Sequence, residues 1–162
     1  MPSFDIVIEL DKQEVDNAVN QATKEMTQRY DFRGTKSKIE WDKDKTISLT
    51  GDDDFKLKAV WDILQSKMIK RGISVKNIEM GKVESGTEGL ARQKLTLQSG
   101  IPSDKAKQIT KIIKEQKMKV QPAVQDEQVR VTAKKIDDLQ AVISVIKQSD
   151  LGMDFQFINF RD

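Results

Sequence analysis

Apolar and polar residues alternate over Ser3 to Leu10, with Phe4, Ile6 and Ile8 on one face, and this two-residue period predicts a strand. Val7 on the opposite face predicts that the strand is covered on both sides. The period then changes. Val15, Ala18, Val19, Ala22 and Met26 recur at helical spacing behind Asp11-Lys12-Gln13-Glu14, which has the form of a capping box, so a helix is predicted to about Arg29. Ile39 and Trp41 alternate with Lys38 and Glu40, and Asp42-Lys43-Asp44-Lys45 turns that strand into Thr46–Thr50 as a hairpin. A second helix buries Leu57, Val60, Ile63, Leu64 and Met68 and is closed by Gly72; Ile73 to Met80 is the fourth strand.

The pattern from Thr46 to Ile78 returns 82 positions later. Ile47 meets Val129, Leu49 meets Val131, Leu57 meets Leu139, Val60 meets Val142, and Ile63-Leu64 meet Val145-Ile146. Ile73, Val75 and Ile78 meet Phe155, Phe157 and Phe160, and Thr50/Thr132 and Ala59/Ala141 are identical pairs. Such an offset marks a duplicated unit with the same inward positions used twice. The second half runs in the same order: a strand with Leu95 and Leu97 inward, a helix with Ala106, Ile109, Ile112 and Ile113 inward, a hairpin through Lys119–Val124 and Gln128–Thr132, a helix from about Asp137 to Gln148, and Phe155 to Phe160. Pro122 cannot donate to a central ladder, which places its strand at a sheet edge. Each half is therefore βαββαβ. Right-handed crossovers and the hairpin give an antiparallel four-stranded sheet of order 4-1-3-2, so the fold class is α+β with two ferredoxin-like (RNP-like) domains, 1–82 and 90–162. Gly81 to Gly89, without periodicity, is read as the linker.

Composition narrows the chemistry. At 37% hydrophobic and 33% charged residues the chain reads as soluble and globular, and no apolar run approaches the roughly 18 residues of a membrane span. Met1-Pro2-Ser3 leads directly into an apolar strand, so export is not expected and the cytoplasm is. The chain has no cysteine and no histidine, which removes disulfides, thiol chemistry, the usual zinc, copper and haem ligands and the commonest general base. No catalytic residue, metal site or cofactor is expected; Asp31, Asp52 and Asp53 have no partner base or nucleophile.

Charge separates the two halves. The net charge of +2 is too small for bulk attraction to nucleic acid, yet the second half holds all of the surplus, with six lysines against two acids between Asp104 and Lys119. Where the first copy has Gly51-Asp52-Asp53-Asp54 before its helix, the second has Ala133-Lys134-Lys135-Ile136, which would attract a phosphate rather than repel it. Arg130 adds a cation on the strand face opposite Val129 and Val131. Arg33-Gly34-Thr35-Lys36 is a second candidate, a glycine turn with two cations and a hydroxyl, but it lacks the length and spacing of a P-loop and reads first as a helix C-cap with Tyr30 and Phe32 packed beneath. Lys107, Lys111 and Lys114 form a helical stripe that would meet nucleic acid or stand as a solvated lysine face. Both third strands lack the aromatic platform on which RNA bases stack, and Phe155, Phe157 and Phe160 read as core or inter-domain packing.

Ser3-Phe4-Asp5-Ile6-Val7, Arg29-Tyr30-Asp31-Phe32-Arg33-Gly34-Thr35, Asp138-Leu139-Gln140-Ala141-Val142 and the stretches Asp150-Leu151-Gly152 and Phe155 to Asp162 resemble the bacterial YajQ family over essentially the whole chain. Ala133 departs from the glycine of that family's pattern. The resemblance implies a cytosolic, non-catalytic nucleotide-binding protein of two RNP-like domains that exchange their first strands, 3–10 and 93–98. It implies GTP, ATP or cyclic di-GMP as ligand, with tRNA as a further one, and no membrane. The alternative is a protein-interaction or transcription co-regulator module whose partner binding a nucleotide modulates. No pocket residue transfers from the family; the nucleotide-binding candidates Arg130, Lys134, Lys135, Arg33 and Lys36 rest on charge, as do Lys107, Lys111 and Lys114 for nucleic acid.

Overall fold

A computed structural model describes residues 1–162. In chain order it contains β1 (Ser3–Val7), α1 (Lys12–Gln28), β2 (Lys38–Trp41), β3 (Thr46–Gly51), α2 (Asp54–Lys70), β4 (Ile78–Met80), β5 (Glu84–Ser85), β6 (Ala91–Leu97), α3 (Ser103–Glu115), β7 (Val120–Gln125), β8 (Gln128–Ala133), α4 (Ile136–Gln148) and β9 (Gln156–Arg161). The strands form two antiparallel sheets, β7-β8-β1-β9 and β2-β3-β6-β4, with β5 also pairing β6. The fold is α+β with two ferredoxin-like domains. The contacts divide the chain into a discontinuous unit, Met1–Glu9 with Ser99–Asp162, and an inserted unit, Leu10–Gln98.

Alternation explains why β1 is a strand; burial explains its place. All five of its residues are buried, Asp5 included, and only a central strand can be so covered. It lies between β8 and β9, with Phe4 opposite Val131 and Ile6 opposite Val129. These residues pack with Ile109, Ile113, Leu139 and Val142 in one core. In the inserted unit β6 takes the corresponding place, Leu95 opposite Ile47, over a core of Val15, Val60, Leu64 and Met68. β7, which contains Pro122, is an edge strand, where a missing N–H costs least.

The duplication holds to the residue through β3/β8 and the starts of α2/α4, and then slips. α2 runs 17 residues and α4 only 13, so the chain reaches the last strand at different points. Met80 pairs with Leu95 where Phe157 pairs with Ile6, an offset of 77 rather than 82. Ile78 and Phe160 are therefore not equivalent. The register of β9 also shifts around Asn159, whose φ is 57°. That bulge gives Phe157 and Phe160, three apart, the same side of the strand, and both rings meet Phe4, at 5.9 and 5.5 Å between centroids.

The stretch read as a linker is paired chain. Glu84 lies opposite Arg92 and Ser85 opposite Ala91, and Gly81 donates its amide to the Lys94 carbonyl at 2.8 Å. Asp11 caps α1 by accepting the Glu14 amide at 3.2 Å, but Glu14 does not complete the box; its carboxylate accepts from Asn17 Nδ2 at 2.8 Å. At α2 the cap is Asp53, which accepts the Lys56 amide at 2.7 Å. Replacing Asp53 by alanine is expected to cost about 1 kcal/mol, read as a lower urea midpoint of tryptophan fluorescence.

Candidate anion-binding site

Asp53 marks the contrast with the second copy. The residue capping α4 is Lys135, whose side chain bonds no helix amide; the Asp138 amide donates to the Lys135 carbonyl at 3.2 Å, and Asp137 and Asp138 stand in the first turn. Lys134 and Lys135 are consecutive, both exposed, and lead directly into that helix. Across from them the chain leaves α3 through Lys117, held at φ 52°, and enters β7 with Lys119. A groove of about 860 Å³ results, lined by Lys117, Lys119, Gln121, Thr132, Lys134 and Lys135 among others, with Asp138 as the one carboxylate. Four ammonium groups and a hydroxyl beside a helix start that no side chain caps suit a phosphate.

Arg130 does not line this groove. It lies opposite Asp5 in the β1–β8 ladder, and its Nε donates to Asp5 Oδ1 at 2.8 Å. Arg130 Nη2 and Asn159 Nδ2 donate to the other carboxylate oxygen at 3.4 and 3.0 Å, and Arg161 stands 3.7 Å away. The hydrogen bond from Arg130 is the largest influence holding the Asp5 carboxyl below its ordinary value, against burial, which pushes it up. Arg130 thus neutralises a buried carboxylate.

The glycine turn lies in the inserted unit. Gly34 takes φ 71° after a single 3-10 turn at Tyr30–Phe32, so it does not cap α1, which ends at Gln28. Phe32 is buried as the packing reading required, but Tyr30 is 82% exposed, with the Arg33 guanidinium 5.4 Å from its ring centre. Lys36 is occupied twice: its ammonium pairs with Glu88, and its amide donates to Asp52 at 3.0 Å. Asp52 also accepts from the Ser37 hydroxyl at 2.7 Å, so this acid clamps the turn and leaves capping to Asp53. Burial pushes the Asp52 carboxyl up, but hydrogen bonds from Ser37 and the Lys36 amide outweigh it and hold the group below its ordinary value. Lys107, Lys111 and Lys114 share an open pocket of about 460 Å³ on α3 with Thr110 and Val124, and Lys111 is 3.9 Å from Glu115. Only Lys134 and Lys135, of the five nucleotide candidates, come together.

Sequence reasoning passed over two sets of cations. Lys117 and Lys119 were visible as a lysine excess, but only the turn into β7 sets them opposite Lys134. Arg92 and Lys94 alternate with inward Leu95 and Leu97, which announces an outward face without saying which sheet carries it.

A family model described as "Nucleotide-binding protein YajQ-like" matches residues 2–161. A nucleotide-binding protein of Geotalea uraniireducens is 59% identical over 161 residues, covering 99% of each chain. Similar proteins of the same description from Heliobacterium modesticaldum and Bacillus cereus are each 54% identical over 159 residues, covering 98% of this chain and 96% and 97% of theirs.

Proposed function

This chain belongs to the YajQ-like family, and we propose that it is a non-catalytic nucleotide-binding protein of the cytoplasm. On this reading the groove at the start of α4 takes the phosphates of a purine nucleotide, cyclic di-GMP or an RNA backbone. The observation that carries it is the coincidence of Lys117, Lys119, Lys134 and Lys135 with a helix start that no side chain caps. Lysine suits the role because it neutralises a phosphate as a point charge without requiring one fixed geometry. The relatives are named for binding rather than for a reaction, and the lining groups supply charge and donors, the requirements of a binder.

Binding should weaken with salt, since each phosphate contact releases condensed counterions from an RNA ligand. Lys134→Glu with Lys135→Glu is expected to lower affinity for GTP, cyclic di-GMP and tRNA by about ten-fold or more, measured by calorimetry and filter binding. Arg130→Gln should leave affinity within about two-fold, since that guanidinium is committed to Asp5. Affinity unchanged by the double reversal would remove the groove from the site.

A further inference from the structure

The sheet of the inserted unit covers its core with one face, through Ile47, Leu49 and Leu95, and leaves the other open. Register sets out that open face in two rows. Glu40, Ser48 and Lys94 form one; Lys38, Thr50, Arg92 and Glu84 form the other. A trough of about 500 Å³ lies over them. Its floor is low because the central residues are small hydroxyls, and its far side is backbone: at Gly81 a Cβ would stand 2.7 Å from the Lys94 carbonyl oxygen.

Charge in the trough is unbalanced. Lys38 is paired with Glu40 at 3.2 Å, while Lys82, Arg92 and Lys94 make no ion pair, and Glu84 is the one remaining acid. The discontinuous unit shows what the same position becomes when closed. Ser48 and Lys94 have Arg130 and Asp5 as their counterparts there, and those two side chains satisfy each other. Serine in place of arginine, and lysine in place of aspartate, leave cation and hydroxyl facing outward with nothing to neutralise them. No aromatic side chain projects from this face, so a base would find no ring to stack on.

We propose that this trough is a second anion site, which takes ligands bearing adjacent phosphate groups through Arg92, Lys94 and the Ser48 hydroxyl, without reading a base. Arginine supplies a two-pronged donor to phosphate oxygens and lysine a mobile charge beside it. The trough shares no lining residue with the groove at α4.

The test is an amide NMR titration of the full chain with tripolyphosphate and, in parallel, with adenosine. Tripolyphosphate is expected to shift Ser48, Thr50 and Lys94, and adenosine to leave them in place. Arg92→Glu with Lys94→Glu should weaken tripolyphosphate binding at these residues by about ten-fold or more, whereas Lys134→Glu with Lys135→Glu should leave it unchanged. Both side chains are exposed, and an otherwise superimposable spectrum of the variant shows that the sheet persists. Shifts confined to Lys117, Lys119, Lys134 and Lys135, or an affinity indifferent to the Arg92/Lys94 reversal, would overturn the proposal. Equal shifts with adenosine would overturn its blindness to bases.

Discussion

Replacing Asp5 by alanine is expected to cost the discontinuous unit about 3 kcal/mol at neutral pH, a large part of the 5–15 kcal/mol typical of whole domains. Asp5 is 1% exposed on the central strand and collects hydrogen bonds from Arg130 and Asn159, with Arg161 close by. Alanine leaves those donors facing an empty position. The loss falls at the lower end for a broken buried pair because Arg130 retains access to water. The effect should depend on pH, with a definite sign. Asp5 has a lower pKa folded than unfolded, so its contribution is complete above the ordinary aspartate value near ~3.9 and fades as pH falls through the folded value. Acidification should therefore bring the variant and the parent together. Trp41, Trp61 and Tyr30 all belong to the inserted unit, so the measurement is hydrogen exchange at Phe4 and Val129, at pH 7 and at pH 3. A deficit equally large at both pH values would show that the pair does not stabilise the unit in this way.

Gly51→Ala should be about as damaging, near 3 kcal/mol, although it adds one methyl group. A Cβ at Gly51 would lie 2.3 Å from the Leu57 nitrogen and 2.6 Å from its Cα. Both are backbone atoms inside α2, so no rotamer change relieves the overlap, and the helix must lift from β3. The other copy supplies the control. Ala133 occupies the equivalent position and is fully buried, so α4 leaves room for a methyl group that α2 does not. Ala133→Gly should accordingly cost only about 1 kcal/mol, from lost packing and added backbone freedom. Thermal melts of the two variants test the asymmetry; an alanine at 51 that melts with the parent would refute it.

Much of the architecture could be read from periodicity, because each element shows one apolar face and the second copy repeats the first. Ile47/Val129 and Leu57/Leu139 are core pairs in both units. The limits have equally physical causes. A two-residue period says that 3–7 is a strand but not which neighbours accept it. The match of Ile78 with Phe160 failed because a helix four residues longer displaces everything after it, and side-chain type alone does not register that slip. At the candidate site, Lys134 and Lys135 stood out because their equivalents are acids. The commitment of Arg130 was hidden, since its partner lies 125 residues away and local patterning carries no trace of it. The separate roles of Asp52 and Asp53 were hidden for the same reason: neighbouring aspartates at a helix start look alike, and only the fold assigns Asp53 to the cap and Asp52 to the turn at Lys36.

The placement of β1 and β6 has a consequence for synthesis on the ribosome, which releases the chain from its N-terminus. The inserted unit has every strand of its sheet once Leu97 has emerged. Ser3–Val7, although made first, must wait for its neighbours β8 and β9, the last of which is the final strand to be translated. A nascent chain stalled once Gln98 has cleared the ribosome should therefore protect residues 10–98 from protease while its leading segment is still cut. A chain of which only the residues up to about 82 have emerged should protect neither, because the strand that belongs at the centre of that sheet is not yet free to enter it.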